Sequence, residues 1–431
     1  MTSFFIETYG YSHNFAESER MAGLLQQAKF EPVETIEAAD IILFNVCTAN
    51  GITADAFFTH VNRIHKEHPY KSIIVCGCIA QLEKKRLQPF SVVGSRQIHK
   101  IVEVVEETIN DNIVKFLKTD EIPPFNLPKI RRNHLVEVLP IAIGSSNVCN
   151  ICSRRQIPDN LQSYPISEIV AVAKKAVKDG VKEIWLASQD TFCYGFDLNT
   201  NLASLLKEIL MIPGDFRIRV GMGSPANLLK IQSNLLPLFN HPKVFKFIHI
   251  PMLAGSNKVL KDLRQENTIE EFIALVSQIR ETIPTVTIAT DIMVGFPSET
   301  RDDFWQTLEV VRKITPEVVT ISCFESKLKK PVENSDQGSV DEISRRQKVL
   351  TDIYYNISTL QNERWIDWKG EILITDKGTE NNQWIGRNPA YKLVLVNGNF
   401  VIGDVVLVRI IKTGVFELRG ERLLSIDLGE K

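Results

Sequence analysis

The sequence has no excess of charge of either sign. Against 52 Asp and Glu stand 50 Lys and Arg, a formal net charge of −2. Such a chain does not attract nucleic acid as a whole, so any RNA contact must come from local basic patches. No run approaches the ~18 consecutive apolar residues of a membrane span, which argues against an integral membrane protein. The N-terminus, MTSFFIETYG, lacks the basic region and apolar core of a signal peptide and already alternates as a strand does. Cysteine is scarce and odd in number, seven in 431 residues. Without a secretion signal, that count speaks against a disulfide framework. It points to a reducing, cytoplasmic setting where thiols are metal ligands or buried small side chains. Internal repeats and low-complexity tracts are also lacking.

What is present is a folded chain of several domains. Hydrophobic residues make up 44% and charged residues 24%, as in ordinary globular proteins. At ~100–200 residues per domain, two to four domains are expected. The first segment alternates strands with helices: strands at Ser3–Thr8, Ala39–Asn45 and Ser72–Cys76, an edge strand at Ser91–Gly94, and helices from Asn14 to about Lys29, at Ala54–Lys66, from Gln81 and at Ile98–Asn110. Asn14 is expected to cap the first helix, with Glu17 completing a capping box. This alternation predicts a parallel sheet over residues 1–118. Residues 119–135 hold the proline-rich DEIPPFNLPKIRR and read as a linker. Strands at Val136–Ile143, Glu183–Ala187, Arg217–Gly221, Val244–His249, Val286–Val294 and Val318–Phe324, with amphipathic helices between them, predict a partial (βα)6 barrel over 136–366. A long helix at Glu342–Arg364 closes it. Residues 367–431 change to short strands and turns, which suggests a small β-barrel of an RNA-binding kind.

In parallel α/β folds, ligands collect at the carboxyl ends of strands. In the first domain those ends deliver Tyr11, Cys47 and Cys78. Two cysteines at matching strand ends suit a metal or cluster; the bland alternative is two buried small hydrophobes. Where the first barrel strand ends, Cys149 and Cys152 form a C-x-x-C. That pair suits a redox, zinc or cluster role.

Further motifs follow one another in order. They run from Glu7-Thr8-Tyr9-Gly10 through Phe44-Asn45-Val46-Cys47, Cys76-Gly77-Cys78, Ser188-Gln189-Asp190-Thr191, Tyr194-Gly195, His249-Ile250-Pro251 and Gly295-Phe296-Pro297 to Gly386-Arg387-Asn388. Together they resemble the tRNA methylthiotransferases, a radical S-adenosylmethionine family, in the archaeal and eukaryotic branch acting on N6-threonylcarbamoyladenosine. The resemblance implies an N-terminal domain with an auxiliary 4Fe-4S cluster, a TIM-like barrel with a second 4Fe-4S cluster that binds S-adenosyl-L-methionine, and a C-terminal TRAM domain that grips tRNA. The implied reaction is 2-methylthiolation at tRNA position 37, and the implied partner is the anticodon stem-loop.

The departures from that pattern fall on the chemistry. Tyr11 stands where the first auxiliary cysteine is expected, leaving Cys47 and Cys78. Ser145 stands where the C-x-x-x-C-x-x-C motif begins, leaving Cys149 and Cys152. Clusters are held by thiolates, and a serine hydroxyl does not readily ionise. An expected Arg-Gly is Pro158-Asp159, an expected Gln is Leu253, and an expected Arg-Pro-Gly-Thr is replaced around Lys327-Leu328-Lys329-Lys330. Gln189, Asp190 and Arg219 fall where S-adenosylmethionine would be held, although Arg219 alone could equally be an interior ion-pair partner. His249 reads as a satisfied core histidine, and Asp291, in the barrel interior, reads equally as structural or functional. Lys327, Lys329, Lys330, Arg387, Lys392 and Arg419 are the candidate RNA contacts. Three readings stay open: a methylthiotransferase with impaired chemistry, a degenerate tRNA-binding paralogue or partner of an active homologue, and a zinc protein using the four cysteines at 47, 78, 149 and 152.

Overall fold

The computed structural model describes residues 2–47, 53–118, 121–146, 160–324 and 340–423, and the chain forms two compact units, Met1–Thr200 and Asn201–Lys431. In the first unit, strands β1 (Ser3–Tyr9), β2 (Glu31–Pro32), β3 (Ile41–Val46), β4 (Ser72–Cys76), β5 (Ser91–Val93) and β6 (Lys115–Phe116) form one sheet in the order β2-β1-β3-β4-β5-β6. Every pairing in it is parallel. The sequence IILFNV of β3 is buried along its whole length, as expected of a strand covered on both faces. Alternate residues serve opposite faces. Ile42, Phe44 and Val46 pack with Phe57, Phe58 and Val61 of helix α2 (Ala54–Glu67). Ile41 and Leu43 pack with Met21 and Leu25 of α1 (Ser12–Gln27) and with Val104 of α4 (Ile101–Ile109).

Three expectations need correction here. Asn14 does not cap α1: Tyr11 occupies the cap position, and the Asn14 Oδ1 reaches back to accept the Tyr11 N–H at 3.3 Å. The strand at 91–93 is not an edge, because the two-residue β6 pairs beyond it. The short helix α3 (Cys78–Leu82) starts at Cys78 itself, earlier than Gln81. The proline-rich segment is also closely packed. Its Ile130 N–H donates to the Glu19 carbonyl at 2.9 Å, its Arg132 N–H to the Glu19 carboxylate at 2.9 Å, and buried Arg20 donates to the Phe125 carbonyl at 3.0 Å. The unit continues with β7 (Val136–Pro140), β8 (Ala142–Ile143), β9 (Gln162–Ser163), α5 (Ile166–Lys178) and β10 (Glu183–Ala187). β7 and β10 pair in parallel, whereas β8 turns to pair antiparallel with β9. The single strand expected over 136–143 is therefore two short ones.

The second unit opens with α6 (Leu202–Leu210), β11 (Arg217–Val220) and α7 (Pro225–Leu235), followed by β12 (Phe247–His249), α8 (Asn257–Asp262), α9 (Ile269–Thr282), β13 (Thr287–Val294), α10 (Arg301–Ile314) and β14 (Val318–Cys323). β12, β13 and β14 pair in parallel. Both α9 and α10 begin with a capping box, Thr268 with Glu271 and Thr300 with Asp303. α11 (Val340–Glu363) leads to β15 (Lys369–Lys377), β16 (Gln383–Arg387), β17 (Leu393–Asn397), β18 (Val405–Thr413) and β19 (Leu418–Arg422), which close into a barrel in the order β15-β16-β17-β19-β18. Ile372, Ile374, Val394, Val396, Val406, Val408 and Ile410 fill it. The sequence does not single out β16, because QWIGR carries Gly and Arg and has little alternation.

Candidate functional site

Strand order fixes where the first site lies. From β1 the chain crosses to β2 on one side and then back past β1 to β3. The strand order therefore reverses between β1 and β3, and the carboxyl ends there border a crevice. Tyr11 follows β1, Cys47 follows β3 and Cys78 follows β4, three adjacent parallel strands. The Cys47 N–H donates to the Tyr9 carbonyl at 2.8 Å. Gly10, at φ +148°, passes so close that a Cβ on it would sit 2.9 Å from the Cys47 Cβ. Both thiols are buried, Cys47 at 6% and Cys78 at 2% exposure. The strand-end expectation thus brings Tyr11, Cys47 and Cys78 to one end of one sheet.

A buried polar network holds those three ends. The Asn45 amide donates to the Asn14 carbonyl at 2.9 Å, the Ser18 hydroxyl at 3.0 Å and the Glu17 carboxylate at 3.3 Å. Ser18 in turn meets Thr8 of β1 at 2.8 Å. On its other side the Asn45 Oδ1 faces Gly77, where a Cβ would come within 2.7 Å of it. Asn45 is thus a hub joining the ends of β1, β3 and β4. Its role is not visible in the sequence, where it is only one letter of a motif. A polar residue at the end of an otherwise apolar strand is the available signal.

The second site lies where β7–β8 and β10 end. Ser145 and Ser146 follow β8, and Gln189, Asp190 and Cys193 follow β10. Asp190 caps the turn Thr191–Cys193, its Oδ1 accepting the Phe192 N–H at 3.2 Å. The Cys193 thiol is fully buried and donates to the Asp190 carbonyl at 3.1 Å. The Ser146 N–H and the hydroxyls of Ser146 and Ser145 hydrogen-bond the same sulfur. Burial pushes the Cys193 thiol up to about 12, the Asp190 charge adds to that, and the serine donors act against it. Both amide atoms of Gln189 and the Thr191 hydroxyl are buried without a hydrogen-bond partner among the described residues. Cys149, Cys152, Lys327, Lys329 and Lys330, and the segment with Pro158-Asp159, lie outside the described residues.

In the second unit Arg219 stands 5.1 Å from the ring centres of both Phe247 and Tyr391. This fits a stacked guanidinium. His249 Nε2 and Asp291 Oδ2 lie 3.1 Å apart. Arg387 lies over the Tyr391 ring at 4.7 Å, and Arg419 is exposed near Glu417. Lys392 differs from them. It is buried at 6%, with its ammonium donating to the Asn362 Oδ1 at 2.8 Å, so it faces inward and is not presented to a phosphate.

The donor sets can be tested against the clusters that the resemblance implies. Cys47 and Cys78 supply two thiols and Tyr11 a phenol, which does not fit a cluster held by three thiolates. Among the described residues, no three His, Cys, Asp or Glu side chains gather as a metal site. At the second site the Ser145 hydroxyl is accompanied by a thiol, an orphaned amide and an orphaned hydroxyl. Buried polar groups without partners call for an explanation, and a bound polar group supplies one.

Comparison with known proteins agrees with this layout. Residues 3–93 match the "Uncharacterized protein family UPF0004", residues 140–311 the "Radical SAM superfamily" and residues 370–423 the "TRAM domain". The human threonylcarbamoyladenosine tRNA methylthiotransferase is 34% identical over 96% of this chain and 73% of its own length. A probable threonylcarbamoyladenosine tRNA methylthiotransferase of Methanothermobacter thermautotrophicus is 32% identical over 90% of this chain and 92% of its own. Among solved structures, the radical S-adenosylmethionine methyltransferase TsrM from Kitasatospora setae superposes with a TM-score of 0.53 at 11% identity, over 75% of each chain. That likeness concerns the fold: an α/β protein with an N-terminal parallel sheet, a radical SAM fold and a C-terminal five-stranded barrel. With identity above 30% along nearly its whole length, the chain belongs to the tRNA methylthiotransferase family, among homologues of the threonylcarbamoyladenosine enzymes.

Proposed function

We propose that this protein is a tRNA-binding member of the family whose 2-methylthiolation of N6-threonylcarbamoyladenosine at position 37 is impaired. The observation that carries this reading is Tyr11 at the end of β1, beside Cys47 and Cys78. A phenol with an ordinary pKa near ~10 is a hard oxygen donor and a poor substitute for a thiolate in an iron–sulfur site. The family's cofactors are 4Fe-4S clusters and S-adenosyl-L-methionine; when bound, they supply radical chemistry. Gln189 and Asp190, which follow β10, are assigned to the S-adenosylmethionine amine, and the orphaned Gln189 amide supports that assignment. Domains at 1–118, 136–366 and 367–431, with a linker at 119–135, suit this division of labour. tRNA binding is assigned to the last of them through Arg387 and Arg419. The anticodon stem-loop is the expected partner, bound alone or beside an active homologue.

The test is anaerobic purification of the full chain with iron, sulfide and zinc analysis, followed by tRNA binding and methylthiolation assays. The expected outcome is salt-sensitive tRNA binding with little or no methylthiolation. Methylthiolated tRNA from the unmodified chain, reconstituted free of any homologue, overturns the impaired reading. Stoichiometric zinc without sulfide replaces it with the zinc reading.

A further inference from the structure

We propose that the first unit carries a tRNA contact of its own, a cavity at the edge of its sheet that seats one nucleotide among three lysines. The inference rests on the tRNA-binding reading above and names a place for that RNA outside the small barrel. Register puts the cavity there. β6 is the last strand in the sheet order, and its Lys115 pairs with Val92 of β5, so both side chains stand on one face. Val92 belongs to the core on the α2 side, with Ala80 of α3 and with Leu87. Leu117 follows Lys115 on the same side and packs against that cluster. The chain between α3 and β5 brings Lys84, Lys85 and Gln88 to the same place. Together these residues enclose a cavity of about 270 Å³. Buried aliphatic side chains make its floor and exposed lysines its rim, and no aspartate or glutamate is among the described residues that line it.

A run of charge is usually a solvated face, and two observations set this one apart. Lys115 reaches the cavity from a different element than Lys84 and Lys85, so the three converge instead of following one another. They are also uncommitted: none of the three makes an ion pair or hydrogen bond among the described residues. Other cations of the unit are taken. Arg86 pairs with Asp55 at 2.6 Å and lies over the Phe58 ring at 3.8 Å, and the Lys71 ammonium donates to the carbonyls of Ile36 and Glu37 at 2.9 and 2.7 Å. Like charges around one cavity repel, and a polyanion relieves that repulsion. Size limits the occupant. Pockets for whole small molecules run ~300–1,000 Å³, so this one suits one unit of a longer chain. A ribose and base on the aliphatic floor, Gln88 at a base edge and the flanking phosphates on the lysines match floor, rim and size together. An acidic peptide would also meet the lysines. RNA is favoured because the small barrel offers only Arg387 and Arg419 as open candidate contacts among the described residues, and the electrostatic share of RNA binding grows with each further phosphate met.

The full chain is compared with Lys84→Gln/Lys85→Gln/Lys115→Gln, with the charge-keeping Lys84→Arg/Lys85→Arg/Lys115→Arg and with Leu117→Asn. Each is titrated with a tRNA carrying N6-threonylcarbamoyladenosine over about 0.05–0.2 M salt, and with poly-L-glutamate. Unfolding midpoints and methylthiolation are read on the same samples. The glutamine variant is expected to bind tRNA at least about ten-fold more weakly at the low-salt end, with the salt slope lowered by roughly 1 for each phosphate lost. The arginine variant is expected to keep affinity and slope. Leu117→Asn, which roughens the floor and changes no charge, is expected to weaken binding and leave the slope as it is. Unchanged affinity and slope in the glutamine variant overturn the proposal and leave the functional reading standing, since the parent still binds tRNA. Unchanged affinity in Leu117→Asn overturns it too, because no base is then seated. Poly-L-glutamate held by the parent and lost by the glutamine variant, with tRNA binding untouched, gives the cavity to an acidic protein partner and overturns the RNA assignment. Lysine-dependent tRNA binding in a parent that methylthiolates tRNA does the reverse: the site stands and the impaired reading falls. A parent that binds no tRNA overturns both.

Discussion

The proposed reading sets a phenol at 11 and a hydroxyl at 145 where the family resemblance leads one to expect thiolates, and what surrounds each decides its consequence. Beside Tyr11 the structure offers Cys47 and Cys78, and among the described residues no three His, Cys, Asp or Glu side chains gather as a metal site. Tyr11→Cys is therefore expected to raise the iron and sulfide bound per chain after anaerobic reconstitution; unchanged content would show that the first site cannot be repaired by its donors alone. Asn45 gives a second prediction. Its fully buried amide makes three hydrogen bonds that tie the ends of β1 and β3 to α1. Asn45→Ala leaves several buried acceptors unmatched and is expected to cost about 2–3 kcal/mol in denaturant unfolding. Tyr11, Cys47 and Cys78 are legible in the sequence because strand ends are countable. Cys193 belongs to none of the cluster motifs, although the strand-end rule applied to Glu183–Ala187 marks its loop. Its hydrogen bond with Ser145 joins loops that sequence distance keeps apart, and no local pattern encodes that.

Among the elements, the join between α11 and the small barrel is polar where most packing is apolar. Ser358 donates to the Val415 carbonyl at 2.6 Å, and Asn362 to the carbonyls of Gly414 and Val415 at 2.9 and 3.0 Å. The Asn362 Oδ1 then accepts from buried Lys392. Burial brings the Lys392 ammonium down to about 8 from an ordinary 10.5; Glu317 opposes that fall and Arg364 adds to it. Below pH 8 the ammonium is charged in both folded and unfolded chains, and its burial cost is fully present. Between 8 and 10.5 the unfolded chain holds more protons, so stability rises with pH, by about 3 kcal/mol over the window. The parent is therefore compared with Lys392→Met. The variant is expected to unfold with a weaker pH dependence between 8 and 10.5, and equal slopes would place the lysine in solvent. The long helix and the barrel class are readable from periodicity and turn spacing. The inward turn of Lys392 is not, because a lysine beside a tyrosine in an RNA-binding barrel reads equally well as a phosphate contact.

For the whole molecule, a net charge of −2 leaves no long-range attraction for tRNA, so affinity must come from a few local cations. Among the candidates in the described residues, exposed Arg419 and half-buried Arg387 can meet phosphate or base, while Lys392 is committed to Asn362. Each phosphate neutralised releases counterions, so every true phosphate partner adds to the steepness with which binding falls as salt rises. Arg387→Ala/Arg419→Ala is therefore expected to weaken tRNA binding and to lower the salt slope by roughly 1 for each phosphate that is no longer neutralised. Lys392→Met, measured at neutral pH, is expected to change stability and leave that slope as it is. The contrast separates a binding surface from a structural one inside the same small barrel. Equal affinity and slope in the double arginine variant would move RNA recognition off this barrel. A reduced slope in Lys392→Met alone would restore Lys392 as a phosphate partner.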